Sequence, residues 1–237
     1  IRFIYRYVRR RTSVDKLKNR NIRFRYKKEI FAVVLCIILC VSLHYICTWE
    51  CVMKTECRFM AQFENNKSRK VAADIIKECS VFPAAKNENV KREDKVNCYY
   101  ENGYGDGRSF GGKRKHEGID IMSSVDKKCL FKIRSVSDGT VEKKGWLKLG
   151  GYRLGIRSDS GIYYYYAHLA SYADNIKCGD RVKAGQFIGY MGNTGYGDEG
   201  TSGKFPVHLH FGIYIKDGIG ESSINPFYLL KKLEKCR

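Results

Sequence analysis

The chain has 237 residues, a hydrophobic content of 43% and a formal net charge of +19. Its length allows one domain of ordinary size plus additional segments, and its hydrophobic content is normal for a globular protein, so neither property indicates a function. The charge is informative because it is local: residues 1–29 contain 12 Lys/Arg and 2 Asp/Glu, a net of +10. This distribution excludes a uniformly basic chain and marks residues 1–29 as a basic arm.

A transmembrane helix is predicted directly after the basic arm. Residues 30–49, IFAVVLCIILCVSLHYICTW, contain no Lys, Arg, Asp or Glu and have about the length that crosses the hydrocarbon core of a bilayer. A buried core helix is the alternative, but such helices usually carry a polar stripe that this segment lacks. A signal peptide is disfavoured because the basic and apolar regions are both too long and no small-x-small cleavage site follows. We therefore expect an uncleaved anchor.

The charges that flank residues 30–49 predict its orientation. The basic arm precedes the span, whereas the four charges that follow it cancel. Positive residues stay on the cytoplasmic side, which predicts a single-pass protein of the cytoplasmic membrane with its N-terminus inside and its C-terminal part extracytoplasmic. Topology and anionic lipid explain the basic arm more simply than nucleic acid does, so no nucleic-acid partner is expected.

The ten cysteines form no C-x-x-C pair, which argues against a zinc ribbon or a thioredoxin-like site. An exported domain permits disulfides, but the sequence does not predict how they would pair. The cysteines beyond the membrane-proximal cluster are Cys79, Cys98, Cys129, Cys178 and Cys236.

Residues 50–97 are polar and charged, and they are interpreted as an extracytoplasmic stalk with one short helix. In NKSRKVAADIIKECSVF the apolar residues Val71, Ile75, Cys79 and Phe82 are spaced by four, four and three residues, which is the period of a helix. No chemistry is predicted for this segment.

A mainly β domain with an antiparallel sheet is predicted over residues 98–230, followed by a tail over 231–237. Short apolar or alternating runs rich in Ile, Val, Tyr and Phe alternate here with glycines, as in CLFKIRSVSDGTVEKKGW and PVHLHFGIYI. Such runs are typical of β-strands, and the block is long enough to bury a core.

Three histidine motifs in this domain are candidates for chemistry. His116 and Asp120 have the same strand parity in KRKHEGIDIM, and Gly118 between them leaves space above the backbone. Glu117 has the opposite parity and is not favoured as a base. His168 ends the run GIYYYYAHLA, where it shares parity with Ile162, Tyr164 and Tyr166; the tyrosines are expected to line core and cleft.

The third motif is FPVHLHFGIYI, in which His208 and His210 emerge on one face of a strand and Leu209, Phe211 and Ile213 on the other. Each motif alone is common in structural proteins. Together they offer a zinc ligand set of His and Asp type plus two further histidines for acid–base chemistry. The residues alone do not decide which histidines bind metal.

The motifs HEGIDI, YAHL, GQFIGYMGNTG and HLHF, in this order, resemble zinc endopeptidases of the LytM and lysostaphin type, most closely the versions of Gram-positive, clostridia-like bacteria. The resemblance covers about residues 99–227. It implies the duplicated hybrid motif fold and cleavage of peptides in the bacterial cell wall.

The resemblance also implies the role of each residue. His116, Asp120 and His210 would bind Zn2+, and His208 and His168 would flank the attacking water as catalytic groups. The expected function is that of a membrane-anchored zinc metalloendopeptidase acting on peptidoglycan peptides in wall remodelling, division or sporulation. The alternative is a non-catalytic scaffold that binds cell wall, or an activator of other wall hydrolases that binds protein partners at the cell envelope.

Overall fold

The computed structural model describes residues 2–63, 66–89, 96–218 and 220–235. The chain divides into two compact units, Ile1–Cys51 and Val52–Arg237. Helix α1 spans Arg2–Met60, and within it Ile30–Met60 is long and apolar enough to cross a membrane. The apolar side chains of residues 30–49 are exposed in this helix, as expected for a segment that has no protein core around it.

The second unit confirms the predicted fold class, since it is built mainly from antiparallel strands. Helix α2 spans Asn66–Glu78 and helix α3 spans Phe227–Lys235. The strands are β1 (Ala84–Lys86), β2 (Cys98–Tyr99), β3 (Gly107–Arg108), β4 (Arg114–Lys115), β5 (Ile119–Ser123), β6 (Phe131–Arg134), β7 (Gly139–Leu147), β8 (Gly151–Arg157), β9 (Tyr163–Tyr172), β10 (Arg181–Val182), β11 (Phe187–Met191), β12 (His208–Asp217) and β13 (Gly220–Ile224).

Eleven of the described strands form one sheet, whose main path runs β1-β6-β11-β9-β12-β5-β2. Strand β8 joins the sheet beside β9, and β7 pairs with β8. In the middle of the sheet, β12 lies between β5 and β9, with His210 opposite Asp120 on one side and Ala167 on the other. Strands β3 and β4 form a separate two-stranded hairpin.

The alternation of the central strands separates a core face from an open face. Leu209, Phe211 and Ile213 of β12 have no solvent exposure and pack in the hydrophobic core, as the sequence predicts. Burying three such side chains stabilises the domain by roughly 5–9 kcal/mol before entropy costs are counted. The polar residues of the same strand are thereby directed to the opposite face.

The predicted stalk over residues 50–97 is wrong for much of its described part. Phe59, Ile75 and Phe82 are at most 2% exposed and belong to the same core as the sheet. Strand β1, which also lies in this segment, pairs with β6. The helical period of the segment therefore reflects one face buried against the β-domain, a long-range contact that the period alone does not reveal.

The predicted tail over residues 231–237 is also corrected for its described residues 231–235, which complete helix α3. Leu233 is 1% exposed and packs in the core together with Leu229 and Leu230. Seven of the described cysteines are thiols outside any disulfide: Cys36, Cys40, Cys47, Cys57, Cys79, Cys129 and Cys178. The last two residues of the predicted tail, Cys236 and Arg237, lie outside the described residues.

Candidate active site

Three side chains from β5, β12 and the segment before β5 meet above the open face of the sheet. The Nε2 atom of His116, the Oδ1 atom of Asp120 and the Nδ1 atom of His210 lie 2.9 Å from one another in every pair. The cross-strand pairing of Asp120 with His210 brings two of them together. Within the described part of the chain, these three residues form a group whose ligand atoms are close enough to bind one metal ion.

The segment before β5 is fixed so that His116 points into this group. The backbone N–H of Gly105 donates to the carbonyl of His116, and the N–H of His116 donates to the carbonyl of Asp106. The Nδ1 atom of His116 lies 2.8 Å from the carbonyl oxygen of Gly103, so Nδ1–H donates there and Nε2 is left as a ligand atom. His116 is only 3% exposed.

Arg108 contacts the same group from the β3–β4 hairpin. Its Nη2 atom lies 2.7 Å from Oδ2 of Asp120 and 2.9 Å from Nδ1 of His116. Nδ1 of His116 cannot donate to the Gly103 carbonyl and accept from Arg108 at once, and the carboxylate is the stronger acceptor for a guanidinium. Arg108 therefore binds Oδ2 and leaves Oδ1 of Asp120 directed at the two histidines.

The geometry and chemistry of the three atoms fit a zinc ion. Tetrahedral zinc with nitrogen and oxygen ligands at its usual bond lengths holds neighbouring ligand atoms about 3.3 Å apart, close to the observed 2.9 Å. Nε2 of His116, Oδ1 of Asp120 and Nδ1 of His210 direct lone pairs toward a common point. Such an arrangement requires positive charge there, supplied by shared protons or by a metal cation.

Gly118 is required by the close approach of His210. A Cβ atom at residue 118 would lie 2.5 Å from the carbonyl oxygen of Phe211 and 2.7 and 2.8 Å from ring atoms of His210. The space that the sequence indicates above Gly118 is thus filled by the imidazole of His210. Gly118 is as much a part of the site as the side chains that it accommodates.

His208 and His168 complete the site, with ring centroids 4.7 Å apart. The Nδ1 atom of His208 lies 2.8 Å from the carbonyl oxygen of Pro206, and that of His168 lies 2.8 Å from the carbonyl oxygen of Thr194. Each carbonyl accepts from Nδ1–H, so each neutral ring presents its Nε2 lone pair to the cleft. For His208 that atom is 3.9 Å from Oδ1 of Asp120.

The prediction from strand parity is wrong for His168, which does not share a face with Tyr164 and Tyr166. His168 has a left-handed backbone, with φ of 62°, and the register of β9 shifts against its neighbours nearby. This irregularity turns His168 onto the open face. Tyr164 and Tyr166, which share its parity, lie in the core with no exposure, while Tyr163 and Tyr165 line the cleft.

The environment of the site sets the charge of its groups. Burial would raise the pKa of Asp120, but the imidazoles of His116 and His210 outweigh it and hold that pKa well below its usual range. Burial lowers the pKa of His168 well below its usual value, and the nearby His208 and His210 add to this effect. Burial likewise lowers the pKa of His208 and His210, partly offset by Asp120. At neutral pH the carboxylate is charged and these three imidazoles are neutral.

The cleft around the site has a volume of about 840 Å³ and a basic lining. Sequence patterns did not identify the cations of this lining. Arg153, which stands between Tyr152 and Leu154 in β8, could have been recognised as a charged residue in an otherwise apolar run. The cations are Arg108, Arg114, Lys115, Lys143, Lys148 and Arg153, and the carboxylates are Glu117, Asp120 and Glu221. The cleft therefore carries twice as many positive as negative side chains.

Known proteins share this domain. Residues 114–226 match the model of peptidase family M23. The L-Ala–D-Glu endopeptidase of Bacillus subtilis (strain 168) is 45% identical over 136 residues, which cover 57% of this chain and 40% of that protein. Lysostaphin of Staphylococcus simulans is 32% identical over 136 residues, covering 56% of this chain and 25% of that protein. The chain thus spans less than half the length of these curated relatives.

A solved LytM structure from Ruminococcus gnavus is 45% identical to this chain. It superposes with a TM-score of 0.64, covering 72% of this chain and 66% of that one. The similarity extends to the fold of the second unit and to the mainly antiparallel sheet that carries the site.

Proposed function

We propose that the chain, whose residues 114–226 match peptidase family M23, is a membrane-anchored zinc endopeptidase that cleaves peptide bonds of peptidoglycan. The observation that carries the proposal is the convergence of the ligand atoms of His116, Asp120 and His210 beside two neutral histidines. The names of the relatives, among them an L-Ala–D-Glu endopeptidase and lysostaphin, support a wall peptide as the substrate.

In this proposal zinc is held by Nε2 of His116, Oδ1 of Asp120 and Nδ1 of His210. When bound there, zinc supplies Lewis acidity that polarises the scissile carbonyl and acidifies the attacking water. Arg108 fixes Asp120 through its other oxygen. The carbonyl of Gly103 fixes the ring of His116. Such outer contacts orient metal ligands and sustain affinity.

His208 and His168 carry the proton in the proposed reaction. Their Nδ1–H groups are held by the carbonyls of Pro206 and Thr194, so their Nε2 atoms face the substrate in a fixed orientation. His208 lies next to the ligand group and is assigned as the general base that takes the proton of the attacking water. The proton that His208 takes from the water must reach the leaving amine; His168, whose ring centroid lies 4.7 Å from that of His208, accepts it at Nε2 and donates it to the amine. The lowered pKa of His168 makes the imidazolium a strong acid.

The apolar part of α1 supports anchoring in the cytoplasmic membrane. Ile30–Met60 has the length and composition of a span, and the basic arm at residues 1–29 favours an N-terminus inside. This orientation places the β-domain on the outer side of the membrane, where peptidoglycan lies. A reporter fused after residue 60 tests it, because activity of an enzyme that works only outside the membrane is then expected.

The hydrolase activity is tested with the full chain purified in detergent and mixed with purified peptidoglycan. We expect new amine termini that disappear with a chelator and return with zinc, and muropeptide masses that identify the bond. His210→Ala should lose zinc and activity together. His208→Ala should keep zinc and lose about 10²- to 10⁴-fold in kcat, the range for removal of a general base.

His44→Ala is the matched control, since the other four histidines belong to the site and His44 lies in helix α1. It should change neither zinc content nor rate. Peptidoglycan left uncut by a zinc-loaded chain would contradict the endopeptidase and favour the scaffold. In that case His210→Ala would leave the cellular function intact.

A further inference from the structure

We propose that Arg153, together with the hydroxyl of Tyr165, forms a carboxylate-binding subsite in the cleft, which selects peptides with a free carboxylate next to the scissile bond. This subsite rests on the proposed endopeptidase function and names its substrate class. Arg153 lines the cleft from β8, and Tyr165 lines it from β9.

Two arginines of the cleft lining have a buried nitrogen without a partner, Arg114 and Arg153, but Arg114 is bonded to Tyr196 through Nη2. The Nη1 atom of Arg153 is buried without a hydrogen-bond partner, and the side chain makes no hydrogen bond or ion pair with any described residue. Buried polar atoms are nearly always bonded, and a buried charge is costly unless it is paired. A bound anion would supply the missing partner, and a carboxylate matches the fork of a guanidinium.

The position of Arg153 places this partner close to the reacting bond. Arg153 shares strand parity with Gly155, which is opposite Tyr165, and the core residue Leu154 between them points away. Strand β8 is separated from β12, which carries His210, by β9 alone. Adjacent strands lie about 4.8 Å apart, so the backbones of β8 and β12 are roughly 10 Å apart. An arginine side chain spans much of that distance, which leaves room for a carboxylate one or two residues from the scissile bond.

Tyr165 provides a second donor beside Arg153. Its hydroxyl makes no hydrogen bond with a described residue, its ring contacts that of His210, and Arg153 is among the charges nearest to it. A tyrosine hydroxyl is protonated at neutral pH, so this one is available as a donor. A neutral O–H next to a guanidinium can donate to the same carboxylate.

The other carboxylates of the cleft are already engaged, so they do not neutralise Arg153. Glu221 forms an ion pair with Arg157 at 2.6 Å, and Glu117 accepts from the hydroxyl of Tyr214 at 3.3 Å. Arg108 binds Asp120 instead. The field of the cleft therefore attracts anionic peptides over neutral ones such as oligoglycine.

The test compares two peptides on the zinc-loaded full chain in detergent. Both contain L-Ala–D-Glu with the chain continuing through the side-chain carboxyl, and both have blocked termini. One carries the free α-carboxylate of the glutamyl residue and the other carries the carboxamide there, so the peptides differ in one charge. The wild type should cleave the acidic peptide with a kcat/KM about 10- to 100-fold higher.

Arg153→Gln should remove this preference, lowering kcat/KM for the acidic peptide mainly through KM and leaving the amide peptide within about threefold. Zinc content should not change. Arg153→Lys should keep part of the preference, since it retains charge but loses the fork. Arg181→Gln is the control, because Arg181 pairs with Asp159 on the exposed surface and does not line the cleft. It should leave both rates unchanged.

Equal cleavage of the two peptides by the wild type, or an equal loss on both in Arg153→Gln, would overturn the subsite and leave the endopeptidase function standing. If Arg153→Gln does not fold, the retained preference in Arg153→Lys decides: an undiminished preference overturns the proposal. If the wild type cleaves neither peptide, the subsite is decided by binding of the two peptides to the zinc-loaded wild type, and the endopeptidase function is decided separately on peptidoglycan. Tighter binding of the acidic peptide supports the subsite, and equal binding refutes it.

Discussion

The two faces of strand β9 carry similar polar side chains, but the tyrosine hydroxyls on the core face are hydrogen-bonded and the Tyr165 hydroxyl on the cleft face is not bonded to a described residue. On the core face, the Tyr164 hydroxyl donates to Oε1 of Glu78 at 2.5 Å, and the Tyr166 hydroxyl accepts from the backbone N–H of Val136 at 3.0 Å. On the cleft face, the Tyr165 hydroxyl makes no hydrogen bond with a described residue, and His168 presents an open Nε2 atom.

This difference separates groups that hold the fold from groups that are available to a ligand. A buried hydroxyl that is bonded contributes to stability, and its loss leaves its partner unsatisfied. A donor or acceptor beside a cleft that has no partner in the protein does not stabilise the fold, but it can form a hydrogen bond with a substrate. The same residue type, one position apart, therefore has a structural role on one face and a candidate functional role on the other.

Among the changes that test this comparison, the largest expected effect comes from one beneath the cleft face that removes no functional side chain. Gly118→Ala would place a methyl group 2.7 Å from the ring of His210 and 2.5 Å from the Phe211 carbonyl. The ring must shift, so zinc affinity and kcat/KM should fall about 10- to 100-fold, as when supporting contacts of metal ligands are lost. Zinc titration with a competing chelator and peptide kinetics measure both.

Gly220→Ala is the control for this prediction. A Cβ atom at residue 220 would meet no atom within 4 Å, and Gly220 is paired with Asp217, seven residues along β12 from His210. It should leave zinc affinity and rate unchanged. Equal zinc affinity in Gly118→Ala and Gly220→Ala would show that the packing of His210 against residue 118 does not fix the ligand.

A paired substitution tests the comparison directly. Tyr164→Phe removes a hydrogen bond to a carboxylate in the core and should lower the free energy of unfolding by about 1–3 kcal/mol, with unchanged kcat/KM. Tyr165→Phe removes a hydroxyl with no described partner and should change that free energy by less than about 0.5 kcal/mol. It should instead lower kcat/KM for the acidic peptide. Denaturation curves and kinetics on the same preparations measure both.

The opposite pattern, a stable Tyr164→Phe and an unstable Tyr165→Phe with normal rate, would mean that the two faces do not differ in role. Loss of stability in both would show that the Tyr165 hydroxyl has a structural partner.

Strand parity is the physical rule that made much of the site predictable. It is sufficient for His208 and His210, because β12 is regular and its alternating neighbours are all buried. It also brings His116 and Asp120 to one side. It fails at His168, where a left-handed φ changes the face of the side chain. A periodic pattern assumes regular backbone and cannot anticipate such an irregularity.

Besides the irregular backbone at His168, the sequence did not predict the contacts between residues that are distant along the chain. Ile75 and Phe82 have the spacing of a helix face, but the partner of that face is the β-domain. The position of Arg153 among apolar residues was a signal in the sequence, but the sheet order alone places it two strands from His210. Its unpaired, buried nitrogen exists only in the folded chain.

The smallest expected effect is the pH dependence of stability, which should also differ between the faces. On the core face, burial raises the pKa of Tyr164 and Tyr166, so their contribution is complete below about pH 10 and is lost only in alkali. On the cleft face, burial lowers the pKa of His168 and His208, so the unfolded chain binds more protons than the folded one below about pH 6.5. Their contribution is present above that pH and is lost as the pH falls.

For protein kept free of metal by a chelator, urea unfolding followed by near-ultraviolet circular dichroism should therefore show falling stability from pH 7.5 to 5.5. The slope should be at most about 1.4 kcal/mol per pH unit for each histidine. His168→Gln should flatten it, whereas His44→Ala should not. Stability that is constant or rises over this range would show that the cleft imidazoles are not held neutral, and both would then be poor proton acceptors.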